Sequence, residues 1–481
     1  MPSSRSEPLN VFQRIVKNML SLLTAGVLNQ FLAILGITYL ARVLGPVDFG
    51  KINFAFAIAS YFLIVSKMGL DVWGNREVAR DKHKVQEYAS NILGLRICLS
   101  LMSYVVLALF VGLLEKPEQT KYLMMFYGFV LFTNAFLLDW IWFALEKMEY
   151  VALSQVMGQF CYVGLILLLV KDAARLLWIP WFQVLAGVVT AGLLGTLYVR
   201  RFGQVRFSLS QYAWPRLLRQ SLPIGLSSII VALLIYFNLV VLGLMKGDEA
   251  VGYYSAAWKI TWLLIVLATS FADTIFPVMS QYYGRGTDSL RRLLGYASKA
   301  IIAVAVPLAA GGIVLGRSII TLVYGSQYSD AGSAFQILIC YAALNYLNMI
   351  YARGLWACGK QKTYLIIVSI EALVLLISSL VLVPTMGVVG AAVSILLVET
   401  IGIILHYWQL NKVIELSWSN HTIKPGLAAG LMVLFLLAGL RMELNVIILV
   451  GGGVLVYSVF FILLKGVTRE DLTFMRSVIA R

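Results

Sequence analysis

The sequence predicts an all-α polytopic membrane protein with about 14 transmembrane helices. Long apolar stretches fill the 481 residues nearly from end to end. Hydrophobic residues make up 60% of the chain and charged residues only 13%, about half the charge of a soluble domain, and the mean hydropathy is +0.86. Lipid forces every backbone amide into a helix or a closed barrel. Runs such as VGLILLLV show none of the alternation of a barrel strand, which leaves helices.

With roughly 20 apolar residues per crossing, spans fall near residues 14–41, 50–70, 88–114, 121–145, 150–170 and 177–199. Six more follow near 221–245, 251–281, 291–316, 331–358, 363–383 and 387–410, and a last pair near 424–440 and 444–465. The opening MPSSRSEPLNVFQR lacks a signal-peptide pattern. Cys98, Cys161, Cys340 and Cys358 lie in apolar spans without metal-type spacing and read as packing residues.

Lys and Arg favour cytoplasmic loops. With both termini inside, the cytoplasmic segments carry more than twice as many of them as the external loops. The expected topology is therefore N-in and C-in with an even number of spans. Flanking cations of this kind also account for most of the +15 formal charge through anionic lipid headgroups, with no nucleic-acid partner.

An internal repeat organises the chain. LARVLGPVDFGKINFAFAIASYF joins spans 1 and 2, and LGLMKGDEAVGYYSAAWKITWL joins spans 7 and 8 with the same order of acid, hydrophobe, glycine, aromatic and alanine. Gly50 matches Gly252, Ala55 matches Ala257, and Lys147 matches Lys360 further on. Six spans separate the members of each pair, so the copies share one orientation. The expected domains are two pseudo-symmetric six-helix lobes, residues 1–199 and 221–410, a basic cytoplasmic linker at 200–220, and two additional helices with a tail over 411–481.

The stretch from Leu40 through Arg80, together with DWIWFALEKMEYVAL, AVGYYSAAWKI and VPTMGVVGAAVSILLVE, resembles the polysaccharide transporter branch, the Wzx-type oligosaccharide flippases, of the multidrug/oligosaccharidyl-lipid/polysaccharide exporters. The likeness covers about residues 14–410. It implies two lobes around a central cavity and alternating access. It further implies that a polyprenyl-diphosphate-linked glycan is turned across the cytoplasmic membrane for O-antigen, capsule or exopolysaccharide assembly. Membrane lipids are expected partners, and a coupling H+ or Na+ and a polysaccharide polymerase are open ones. No cofactor is implied.

Five cations remain inside spans: Lys67, Arg96, Lys259, Lys299 and Arg353. Each costs ~2.5 to 3.5 kcal/mol at mid-depth on insertion scales, which makes an intramembrane cation a functional candidate. Lys67, near a helix end, reads as snorkelling. Arg96 and Lys299 occupy nearly equivalent repeat positions, Lys259 enters span 8 from outside, and Arg353 lies near the inner end of span 10. These four are candidates to receive the diphosphate, Arg through a bidentate fork and Lys as a point charge; the competing reading is structural ion pairs. Asp139, Asp273, Glu371 and Glu399 are the acidic counterparts. Asp273 follows Lys259 by close to four helical turns, placing both on one face about 21 Å apart. Asp139 is a candidate partner for Arg96 or Arg353. Glu371 and Glu399 suit a coupling ion, or a pair with Lys299.

Catalytic signatures are missing, and the expectation is a transporter rather than an enzyme. His83, His406 and His421 stand far apart, without zinc spacing. GLWACGKQ lacks the final Ser or Thr of a phosphate-binding loop and ends a membrane helix instead of following a strand. A multidrug or small-molecule antiporter of the same superfamily is the competing function, and the absence of Asp or Glu from residues 14–41 argues against it. A polyprenyl-glycan polymerase or ligase would present a large external loop, and every external loop here is short.

Overall fold

The computed structural model describes residues 11–204, 213–416 and 422–468, and these are helical with short connections and no strand. The helices are α1 Val11–Lys67, α2 Leu70–Arg80, α3 Val85–Leu113, α4 Glu118–Gly128, α5 Val130–Ala135, α6 Asp139–Ala144, α7 Met148–Leu169 and α8 Ile179–Phe202. After them come α9 Ala213–Met245, α10 Asp248–Gly284, α11 Thr287–Tyr324, α12 Ala331–Ala357, α13 Gln361–Ile414, α14 Ile423–Arg441 and α15 Val446–Leu463. Parts of the expected linker and C-terminal tail, and both termini that carry the expected N-in/C-in orientation, lie outside the described residues.

Twelve stretches among the described residues are long and apolar enough to cross a membrane. The difference from the expected count lies in α1 and α13, of 57 and 54 residues, each of which takes in two expected spans. A straight 57-residue helix would run about 85 Å, nearly three hydrocarbon thicknesses. Gly45 (φ 72°, ψ 174°) interrupts α1, and Gly387 (φ 56°, ψ −126°) interrupts α13. Both occupy left-handed backbone that a side chain disfavours. In α13 the two arms double back, which brings Ser379 Oγ within 3.2 Å of Ser394 Oγ. Residues so far apart on a straight helix would be separated by about 22 Å. Asn238 of α9 staples the fold, accepting from Ser379 at 2.6 Å and donating to the Ala391 carbonyl at 2.9 Å.

The chain divides into two compact units. The first gathers residues up to Leu44 with Lys51–Tyr236. Its core joins α2, α3 and α6 through Leu70, Trp73, Ile92, Trp140, Ile141 and Trp142. The second takes Gly45–Gly50 with Phe237 onward. There α10 to α13 share a core that includes Ala272, Leu294, Ile350, Leu355 and Leu410, and α14 and α15 cover α11 through Leu315, Met432, Leu436 and Leu449. In this second unit the backbone of residues 46–50 presses on the start of α10. A Cβ on Gly50 would collide with the Asp248 carbonyl, and one on Gly252 with the Pro46 carbonyl. Only hydrogen side chains permit that approach.

Large aliphatic side chains remain bare on many helix surfaces, including Leu455 at 67% and Leu463 at 68% exposure. Such surfaces belong in lipid. The protein is a multi-pass membrane protein.

Candidate functional site

In the first unit the charges form a tight knot. Arg96 on α3 is 1% exposed. It donates through Nη1 to the Leu137 carbonyl at 3.0 Å and through Nη2 to the Asn134 carbonyl at 2.5 Å, and its Nη1 lies 3.0 Å from Asp71 Oδ1. A guanidinium held by three oxygens is a clamp between α3, the start of α2 and the chain between α5 and α6. Lys67, at the end of α1, pairs with Asp71 at 3.7 Å. Asp139 lies in the field of Asp71, Lys67 and Arg96, yet its Oδ1 accepts from the Trp140 amide at 2.9 Å. Within the first unit Asp139 makes no ion pair with Arg96, whose carboxylate partner is Asp71. Asp71 provides the counter-charge at a helix start, one turn beyond Lys67, and sequence reasoning passed over it.

In the second unit Arg353 and Asp273 find each other. Arg353 Nη2 and Nε lie 2.6 and 2.8 Å from Asp273 Oδ1, and the guanidinium also covers the Trp356 ring at 4.4 Å. The pair joins α12 to α10. Lys299 is half-buried on α11. Lys259, half-buried on α10, makes no hydrogen bond or ion pair with any described residue. An ammonium in that position has unspent attraction for an anion.

Glu371 and Glu399, 28 positions apart in sequence, come together because α13 doubles back. Asn348 of α12 donates to Glu399 Oε1 at 2.7 Å and Asn345 to Oε2 at 3.1 Å. Glu371 sits beside the same Asn348 amide. A Cβ on Gly402 would occupy the place of the Glu371 Oε1 atom, so the glycine makes room for it. His406 Nδ1 donates to the Gly402 carbonyl at 2.9 Å and stands 3.8 Å from Glu371 Oε1. The carboxylate side chains are nearly buried. Three of the oxygens here, Glu371 Oε1, Asn345 Oδ1 and Asn348 Oδ1, accept no hydrogen bond. Two carboxylates with spare amide oxygens are a hard donor set suited to a proton or a small hard cation. The two asparagines were not singled out from sequence; their i, i+3 spacing on an apolar span was the available signal.

The family model described as polysaccharide biosynthesis protein matches residues 15–283, and one described as MatE matches 223–382. A putative O-antigen transporter of Escherichia coli is 24% identical over 400 residues, covering 80% of this chain and 94% of its own length. A probable low-salt glycan biosynthesis flippase of Haloferax volcanii is 23% identical over 47% of this chain, and the match spans only 50% of that relative's length. Among solved structures, the lipid II flippase MurJ in an inward closed conformation superposes with a TM-score of 0.76 at 15% identity, over 92% of this chain and 98% of that one. That likeness shows a shared fold. With more than half of its residues matched by the family model, this chain belongs to the polysaccharide biosynthesis protein family.

Proposed function

We propose that this protein is a flippase of the cytoplasmic membrane that translocates polyprenyl-diphosphate-linked oligosaccharide by alternating access, for assembly of a surface polysaccharide. The observation that carries the reading is the match to the E. coli transporter across nearly its whole length, a protein named for moving a glycan. No bond is made or broken in such a cycle. The headgroup brings negative charge into a low dielectric, where an unpaired ion costs several kcal/mol. Lys259 has no partner among the described residues to give up when a diphosphate arrives. Arg353 can exchange Asp273 for phosphate, since that carboxylate is 55% exposed. Lys299 is a further candidate contact, and Arg96, held by Asp71 and two backbone carbonyls, fixes the chain segment it grips within the first unit.

An ion gradient, substrate binding and release, or a partner can drive such a cycle, and for the first of these the Glu371–Glu399 pair is the candidate carrier of the ion. A multidrug antiporter is the second reading, favoured by the MatE match that runs through Glu371.

Deletion of the gene decides between the two. Cells lacking the protein should accumulate a lipid-linked oligosaccharide on the inner leaflet and lose surface glycan. Unchanged glycan with heightened sensitivity to cationic drugs would transfer the protein to the second reading.

A further inference from the structure

The first unit holds a cavity of about 380 Å³ with no charged residue in its wall. Three candidate membrane helices build it, each with the same spacing. On α1 the wall is Gly26, Asn29, Gln30 and Ala33; on α7 it is Gln155, Gly158, Gln159 and Tyr162; on α8 it is Gln183, Ala186, Gly187 and Thr190. Every set runs i, i+3, i+4, i+7, which is one face of a helix. Three otherwise apolar helices thus turn a stripe of amides and small residues toward one space.

The small residues bring the helices together. A Cβ on Gly158 would strike the Thr190 hydroxyl, and one on Gly187 would lie 2.6 Å from the Thr133 hydroxyl. Gly26 faces open space, with nothing within 4 Å of a Cβ built on it. Thr133, Asn134 and Leu137 complete the wall, and the last two supply the carbonyls that Arg96 grips. The buried cation therefore fixes one side of the cavity.

The amides are unspent. Gln30, Gln155, Gln159 and Gln183 hydrogen-bond to no described residue, and Asn29 Oδ1 is buried without a partner. Each primary amide offers two donors and one acceptor oxygen. Leaving such groups unmade within a membrane helix costs free energy that a polar occupant recovers. The occupant must be neutral, since no cation waits for a phosphate and no carboxylate for an amine. It must also offer donors and acceptors together, as a hydroxyl does. The volume lies in the roughly 300 to 1,000 Å³ range of small-molecule pockets.

We propose that this cavity of the first unit is a sugar subsite, in which the amides of α1, α7 and α8 hydrogen-bond hydroxyl groups of the glycan. It rests on the flippase reading and deepens it by separating two recognition tasks. Cations elsewhere meet the diphosphate, while this uncharged cavity reads the carbohydrate.

The test uses the full chain in lipid nanodiscs and two probes: lipid-linked oligosaccharide extracted from the deletion cells, and polyprenyl diphosphate without sugars. Gln159→Ala, Gln183→Ala and Gly26→Leu should each weaken binding of the first probe by roughly tenfold, the scale of one or two lost hydrogen bonds. Binding of the second should stay within about twofold on the same scale. Gly26→Leu enters the cavity from a position where a Cβ meets nothing within 4 Å, so its melting temperature should match wild type and guard against misfolding. Equal loss for both probes, or no loss for either, overturns the subsite while the wild-type protein still binds and flips its substrate. Wild-type protein that binds neither probe overturns the flippase reading and the subsite with it.

Discussion

Arg96 and Lys259 are both cations inside apolar helices, and their surroundings give them opposite roles. Arg96 is nearly sealed from solvent, and its guanidinium is shared among Asp71 and the carbonyls of Asn134 and Leu137. Removing it leaves two carbonyls without their donor and Asp71 with Lys67 alone, a loss of about 1 to 3 kcal/mol. Arg96→Ala should accordingly lower protein abundance and melting temperature before it alters transport. Arg96→Lys should restore part of the stability, because one ammonium cannot reach all three oxygens at once. Lys259→Ala should leave abundance and melting unchanged and reduce surface glycan, since no described residue loses a partner. A melting loss for Lys259→Ala as large as that for Arg96→Ala would give both residues the same structural role. Sequence could flag both cations from depth alone. Telling them apart requires knowing which carbonyls lie within reach of each, and that is set by the short helices α5 and α6 whose irregular backbone leaves oxygens free.

At the level of the helices, the apolar runs were legible because lipid imposes length and polarity on every crossing. Pairings between runs were not, since nearly any helix face is apolar here and the pattern names no neighbour. Helix α13 illustrates both halves. Its two arms were visible as separate apolar runs near 363–383 and 387–410, and Glu371 and Glu399 stood out as carboxylates in apolar surroundings. Their meeting at Asn345 and Asn348 depends on how α12 lies against the folded-back arms. The amide stripes of the first unit escaped sequence reasoning for a related reason: uncharged glutamines raise no alarm one at a time, and only the shared spacing on three helices reveals them. On α13 the tightest spot is Gly402, where a methyl group meets the Glu371 carboxylate. Gly402→Ala improves helix propensity by about 1 kcal/mol, so the helix should persist while the carboxylate is pushed from Asn348. Ion-driven transport should fall several-fold with the protein still abundant, measured as glycan-lipid translocation in proteoliposomes with and without an imposed gradient.

For the molecule as a whole, coupling requires that the ion and the substrate bias the same conformational equilibrium. Replacing Glu371 and Glu399 together by Gln keeps the side-chain size and removes both charges. Gradient-driven translocation should disappear in that double variant while polyprenyl-diphosphate binding is retained. Transport that continues at wild-type rate under the same gradient would take this pair out of the energy-coupling step. The glycine crossing of the second unit has a further consequence, in the arithmetic of combined mutations. Gly50 and Gly252 are repeat equivalents that guard a single backbone approach, each facing a carbonyl beside the other. A methyl group at either position wedges the same two segments apart. Once that separation has been forced, the second methyl finds the space already opened. The two alanine substitutions should therefore be strongly sub-additive in a double-mutant cycle, with an interaction energy of about 1 to 3 kcal/mol, although the residues lie some two hundred positions apart in the chain.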